Sequence, residues 1–167
     1  GDWGDHYKGP VIGTKNVLQA ALEANVDKVV YVSSIGVLHS SQFPQSGQIN
    51  ENFPLEKHPK SRGNYSRAKL DAENIAREYI KKGLGLCIIR PGLVYGPGNS
   101  KFLSDAGYNL SNNLVLVLGI GRRLLGLTYV ENLVDALILA SRSNSSCGKT
   151  YNIVDPDQKT VRQYIKA

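Results

Sequence analysis

Two stretches of the chain, Lys28-Val29-Val30-Tyr31-Val32 and Leu86-Cys87-Ile88-Ile89, are continuous runs rich in β-branched and apolar residues, with no polar alternation. A strand with one wet face alternates. A continuous run needs cover on both faces, as in a parallel sheet layered between helices. The sequence between the runs supplies that cover. Thr14, Val17, Leu18, Ala21 and Leu22 recur at i, i+3, i+4, i+7 and i+8, the spacing of an amphipathic helix that ends near Asn25. A second helix is expected from about Asn64 to Lys81, with Ala68, Ala72, Ile75, Ala76 and Tyr79 on its core face and Gly83 and Gly85 to stop it. Strands spaced by helices argue for an α/β fold with a parallel sheet.

The pattern continues towards the C-terminus. Leu114 to Leu118 is a further apolar run, and Leu127-Thr128-Tyr129-Val130 reads as a strand. A helix then runs through Asn132 with Leu133, Ala136, Leu137 and Ala140 inward. Tyr151-Asn152-Ile153-Val154 is a short strand, and Thr160 is placed to N-cap a last helix. The long segment from His39 to Gly63 holds Pro44, Gly47, Pro54 and Pro59 and reads as a loop of the length that usually serves a site.

Composition removes several classes of function. The 20 Lys and Arg against 14 Asp and Glu give +6, which is ordinary for a soluble domain, and the basic residues are scattered, so nucleic acid is not expected as a partner. The loose basic group Lys57, Lys60, Arg62, Arg67 and Lys69 is the exception. No apolar stretch approaches the ~20 residues of a membrane span, and no signal layout opens the chain, so the cytoplasm is the expected compartment. His6, His39 and His58 lack ligand spacing, and Cys87 and Cys147 are too few for a zinc site or a disulfide framework; no metal is expected. Cys87, inside an apolar run, reads as a core residue. The chain contains no methionine and opens on Gly1-Asp2-Trp3, which reads as an interior piece of a longer protein or a processed one.

In open parallel sheets, ligands gather at the carboxyl ends of strands. Ser33-Ser34 and Pro91-Gly92 both lie at such ends. Close by in the pattern, Tyr65 and Lys69 are i and i+4 on one helix and share a face. A tyrosine of ordinary pKa is a poor base at neutral pH. Lowering that value by ~3 units takes about 4 kcal/mol, which a nearby ammonium can help supply. A serine hydroxyl at position 34 can donate to a substrate oxygen while Tyr65 exchanges the proton.

With these residues in place, the chain resembles the extended short-chain dehydrogenase/reductase family, the NAD-dependent epimerase/dehydratase group, and is similar also to the 3β-hydroxysteroid dehydrogenases. The matching segments are Gly13-Thr14-Lys15-Asn16-Val17-Leu18, Val29 to Ser34, Tyr65-Ser66-Arg67-Ala68-Lys69 and Arg90 to Gly98. Farther on, Gly119 to Arg123 and Tyr129 to Ala136 match the family's later strand and helix.

The resemblance implies a Rossmann-like doubly wound parallel sheet, incomplete, with part of a small C-terminal substrate lobe. Residues 1–98 would be the later two-thirds of a dinucleotide-binding domain. Residues 99–167 would add partial substrate-lobe segments and a returning strand and helix. It implies NAD or NADP as cofactor and hydride transfer at a secondary alcohol or ketone carbon, most simply of a nucleoside-diphosphate sugar, alternatively of a 3β-hydroxysteroid or sterol. Tyr65 would be the acid/base, Lys69 would hold the nicotinamide ribose, and Ser34 would orient the substrate oxygen. Ser33, Pro91 and Gly92 would line the cofactor, and Arg122, Arg123 and Asn132 the substrate. A small-molecule substrate and a homodimer follow from the same likeness.

Two departures matter. No G-x-x-G-x-x-G follows a buried strand, so these residues alone are expected to bind dinucleotide poorly and to be inactive. Pro10 stands where relatives usually carry an asparagine that organises the active site. A catalytically silent cofactor- or ligand-binding module is the alternative these departures favour.

Overall fold

The computed structural model describes residues 2–39, 49–98, 108–111, 114–116, 124, 126–158, 160 and 162–163. The chain divides into two compact units. One comprises Gly1–Arg90 with Leu137–Asn152, the other Pro91–Ala136 with Ile153–Ala167.

The first unit opens with α1 (Trp3–His6), which runs through a π-helical stretch, Tyr7–Gly13, into α2 (Thr14–Glu23). Only the last of these three was legible as a periodic pattern. The wide stretch contains Pro10, which has no N–H to donate to the regular helical ladder. The Thr14 hydroxyl donates to the Pro10 carbonyl at 2.6 Å and satisfies it from the next turn. Strand β1 (Val29–Val32) then pairs in parallel with β2 (Leu86–Pro91), with Val29 opposite Leu86 and Val32 opposite Ile89. Between them runs α3 (Gly63–Lys81), as the periodicity predicts. On the far side of β2 lies β7 (Thr150–Ile153), giving the order β1-β2-β7.

Every residue of β2 is buried, which is what a continuous apolar run in the middle of a sheet requires. Leu18, Ala76, Tyr79, Leu84, Leu86 and Ile88 form the main core between sheet and helices. Cys87 of β2 is buried, whereas Cys147 is exposed. A smaller cluster, Val37, Leu38 and Leu70, is covered by Ile49, Phe53 and Leu55. The far half of the expected loop is therefore packed: Leu38 bridges Leu55, and Pro59–Arg62 forms a 3₁₀ turn leading into α3.

In the second unit, β3 (Leu93–Tyr95) pairs in parallel with β6 (Leu127–Tyr129), and β4 (Tyr108–Ser111) pairs antiparallel with β5 (Leu114–Leu116). Helix α4 (Val130–Arg142) starts one residue earlier than a four-residue strand at 127–130 allows. Gly92 is required here. A Cβ on it would lie 1.8 Å from the Gly126 carbonyl oxygen, and its N–H donates to the Thr128 hydroxyl at 2.9 Å. At the C-terminal end the Thr160 hydroxyl accepts from the Gln163 N–H at 3.2 Å, the capping contact expected of it. Among the described residues no helix is long and apolar enough to cross a membrane.

Candidate active site

β1 ends at Val32, Ser34 is still extended, and a 3₁₀ turn begins at Ile35. The Ser34 hydroxyl accepts the Gly36 N–H at 3.1 Å and caps the 3₁₀ turn Ile35–Val37. This contact holds the Ser34 side chain at the carboxyl end of the strand. A methyl added to Gly36 would lie 3.3 Å from the Ser34 Oγ and 3.8 Å from the Ser66 Oγ. The turn that carries Ser34 thus lies against the first turn of α3, where Tyr65 stands.

Tyr65, in the first turn of α3, is 55% exposed and lies outside the core. One turn further on, Lys69 reaches back over the strand end and donates from Nζ to the Val32 carbonyl at 3.0 Å. Burial pulls Lys69 below the ordinary lysine value. Beneath this face sits Tyr31 of β1. Burial pushes its hydroxyl up to about 12 against a hydrogen bond with Thr14 that pulls the other way, and it feels the charges of both Glu73 and Tyr65. Ser34, Tyr65 and Lys69, separated by 35 positions in sequence, therefore meet at one strand end.

Ser33 points the other way. It is 2% exposed, and its hydroxyl donates to Glu73 Oε2 at 2.6 Å. Glu73 is wholly buried on α3, one turn beyond Lys69. Arg90, equally buried at the end of β2, grips both its oxygens, Nη2 to Oε1 at 2.6 Å and Nε to Oε2 at 3.0 Å. Arg77 adds two bonds to Oε1. Burial pushes Glu73 upward, but the bonds and charge of Arg90, with the bonds from Ser33 and Arg77, outweigh it and hold the carboxyl below the usual range. Glu73 escaped the sequence reading because a carboxylate was not expected on the core face. The available signal was Arg90, a cation closing an otherwise apolar strand.

The remaining candidate residues belong to the second unit. Pro91 is buried, and Gly92 spends its N–H on the Thr128 hydroxyl and the Ile153 carbonyl. Asn132 lies inside α4 and is not its cap; its amide donates to Asp155 Oδ1 at 2.8 Å. Asp155 also accepts the Tyr129 N–H at 2.9 Å, and its hydrogen bond with Tyr95 pushes that phenol up. Asp155 was another residue the sequence did not single out. Arg122 and Arg123 lie outside the described residues.

The cluster in the first unit can do proton chemistry on an oxygen. It has an exposed phenol, an ammonium one turn away and a fixed hydroxyl. Lys69 has three donors, and one is used on Val32. The others suit a vicinal diol such as a ribose, so the residues present fit the nicotinamide nucleoside of a dinucleotide.

Known proteins match this chain in family and in fold. The model of the 3-beta hydroxysteroid dehydrogenase/isomerase family matches residues 4–162. The chain is 32% identical over 145 residues to a 3beta-hydroxysteroid-dehydrogenase/decarboxylase isoform of Arabidopsis thaliana, covering 86% of this chain and 32% of that protein. It is 26% identical over 164 residues to the N-acetyl-alpha-D-glucosaminyl-diphospho-ditrans,octacis-undecaprenol 4-epimerase of Escherichia coli O157:H7, covering 96% and 47%. Among solved structures, the dTDP-glucose 4,6-dehydratase of Bacillus anthracis in complex with NAD shares the fold, with a TM-score of 0.78 at 24% identity, covering 96% of this chain and 50% of that one. The chain spans about a third to a half of the length of these proteins. The expected Rossmann-like α/β fold is thereby found.

Proposed function

Because the chain belongs to the 3-beta hydroxysteroid dehydrogenase/isomerase family, we propose that the protein is a nicotinamide-dependent oxidoreductase acting at a secondary alcohol or ketone carbon. The observation that supports this most directly is Lys69 donating to the Val32 carbonyl, one turn from the exposed Tyr65 and beside the turn that fixes Ser34. Bound NAD or NADP would supply the hydride acceptor and donor. The protein's share is position and proton handling. Ser34 donates to the substrate oxygen and orients its carbon. Tyr65 takes the hydroxyl proton as the alcohol is oxidised and returns it in the reverse direction. Lys69 holds the ribose hydroxyls and, as an ammonium, favours the phenolate.

The family match and the Arabidopsis relative favour a 3β-hydroxysteroid or sterol as substrate. The Escherichia coli epimerase favours a second reading, a diphosphate-linked sugar. In that reading Arg122 and Arg123 serve the diphosphate, which calls for guanidinium pairing.

The test is turnover of the full-length protein with NAD and, in separate assays, a 3β-hydroxysterol and UDP-glucose. It follows reduced nicotinamide by absorbance and sugar products by chromatography. Tyr65→Phe should lower kcat about a hundredfold or more while dinucleotide affinity is retained. Wild-type turnover in that variant sinks the mechanism. A sterol product without a sugar product selects the first substrate class, and the converse selects the second.

A further inference from the structure

We propose that Ser33 is a positioning residue: its hydroxyl bond to the buried Glu73 sets the spacing between Ser34 on the β1 end and Tyr65 and Lys69 on α3. The proposal rests on the catalytic reading above.

Stability alone does not explain the buried Glu73–Arg90 pair. A buried ion pair is often no more stabilising than apolar residues of the same volume, because both charges must leave water. Glu73 and Arg90 are both wholly buried, and the carboxylate takes bonds from Arg90, Arg77 and Ser33. What such a cluster offers in return is a unique geometry. Here it joins three pieces of backbone. Glu73 belongs to α3, Arg90 closes β2, and Ser33 follows β1, where its N–H also donates to the Ile89 carbonyl at 2.7 Å. Arg90 extends the tie to the Glu51 carbonyl at 3.5 Å, and the Glu51 carboxylate accepts the Asn152 N–H of β7 at 2.9 Å.

Two of these ties flank the site. On α3, Glu73 stands one turn beyond Lys69 and two beyond Tyr65. On the strand side, Ser33 lies between Val32, whose carbonyl holds Lys69, and Ser34. The Ser33–Glu73 bond, at 2.6 Å, is a buried side-chain link between the helix that carries the acid/base pair and the backbone that carries the orienting serine, beside the exposed one from Lys69 to Val32. Loosening it lets helix and strand end slide relative to each other, and the oxygen-binding gap changes with them. Displacements of ~1 Å at such a gap can cost on the order of a hundredfold in rate.

Ser33→Ala removes the bond without altering charge. In the full-length protein it should lower kcat about tenfold, and Ser33→Thr should restore the rate. A second readout does not need turnover. The Tyr65 ionisation, obtained from near-ultraviolet absorbance as the difference between each protein and its Tyr65→Phe counterpart, should move up by about half a pH unit in Ser33→Ala as Lys69 loosens. If Ser33→Ala is too unstable to assay, Ser33→Cys weakens the same bond in nearly the same volume and carries the same expectation.

The positioning role is overturned if Ser33→Ala keeps the full rate, or if it leaves the Tyr65 midpoint in place. It is also overturned if Ser33→Thr fails to restore what Ser33→Ala loses. Failure of the catalytic reading looks different: Tyr65→Phe itself then turns over like the wild type.

Discussion

Arg90 and Glu73 illustrate how much a single buried contact can matter at the scale of residues. Both side chains are closed off from solvent, and each is the principal partner of the other. Removing one member of such a pair strands the other charge in a medium that cannot solvate it, at about 3 to 5 kcal/mol. Arg90→Met is therefore expected to lower the unfolding free energy by about that amount in urea titrations. A loss under about 1 kcal/mol would show that Arg77 and water compensate. Of the expected core face Ala68, Ala72, Ile75, Ala76 and Tyr79, all are buried except Ile75, which is half-buried. Glu73 lies on the same face but is invisible to periodicity, which sorts residues by polarity. A carboxylate on the apolar face becomes intelligible only when its arginine, seventeen positions away, is seen beside it.

At the scale of elements, legibility followed cover. β2 and α3 were readable because each buries a contiguous run or stripe, whereas β1, at the edge of the described sheet, is only half-buried and exposes Val32 despite its continuous apolar run. The helix ahead of Thr14 was not readable. Pro10 and Gly9 argue against regular helix, and the wide π-turn that accommodates the proline has no periodic signature. β3 was missed for another reason. It is three residues long, directly after β2, and what separates the two is Gly92. That glycine is needed for a close backbone approach, not for an unusual φ. Gly92→Ala would drive a methyl into the Gly126 carbonyl and should destabilise the β3–β6 pair by about 3 kcal/mol or more. Hydrogen exchange reads this locally: the Leu93 amide, which donates to the Gly126 carbonyl at 2.8 Å, should lose protection first. Unchanged protection there would mean that the loop around Gly126 yields without cost.

For the molecule as a whole, the depressed carboxyls predict how the fold meets acid. Glu73 is held below its ordinary 4.5 in the fold. Glu56 is lowered as well, first by the His58 N–H and then by His39 and Arg62. Since the unfolded chain takes up these protons more readily, their contribution is complete above about pH 4.5 and is lost as pH falls through the folded values. The denaturant midpoints of the wild type and Glu73→Gln should therefore converge below pH 4.5. A gap that persists undiminished into strong acid would mean that the charge of Glu73 contributes nothing to the difference.

Lys69 bears on affinity as well. Long amine side chains surrender up to ~2 kcal/mol of rotational freedom when they are fixed. Here the Val32 carbonyl already fixes this one, so that loss belongs to folding and not to ligand capture. A diol arriving at the strand end meets an amine already aimed. It follows that weakening the fold near Val32 should register as weaker affinity for the diol, even where no contact to the ligand has been touched.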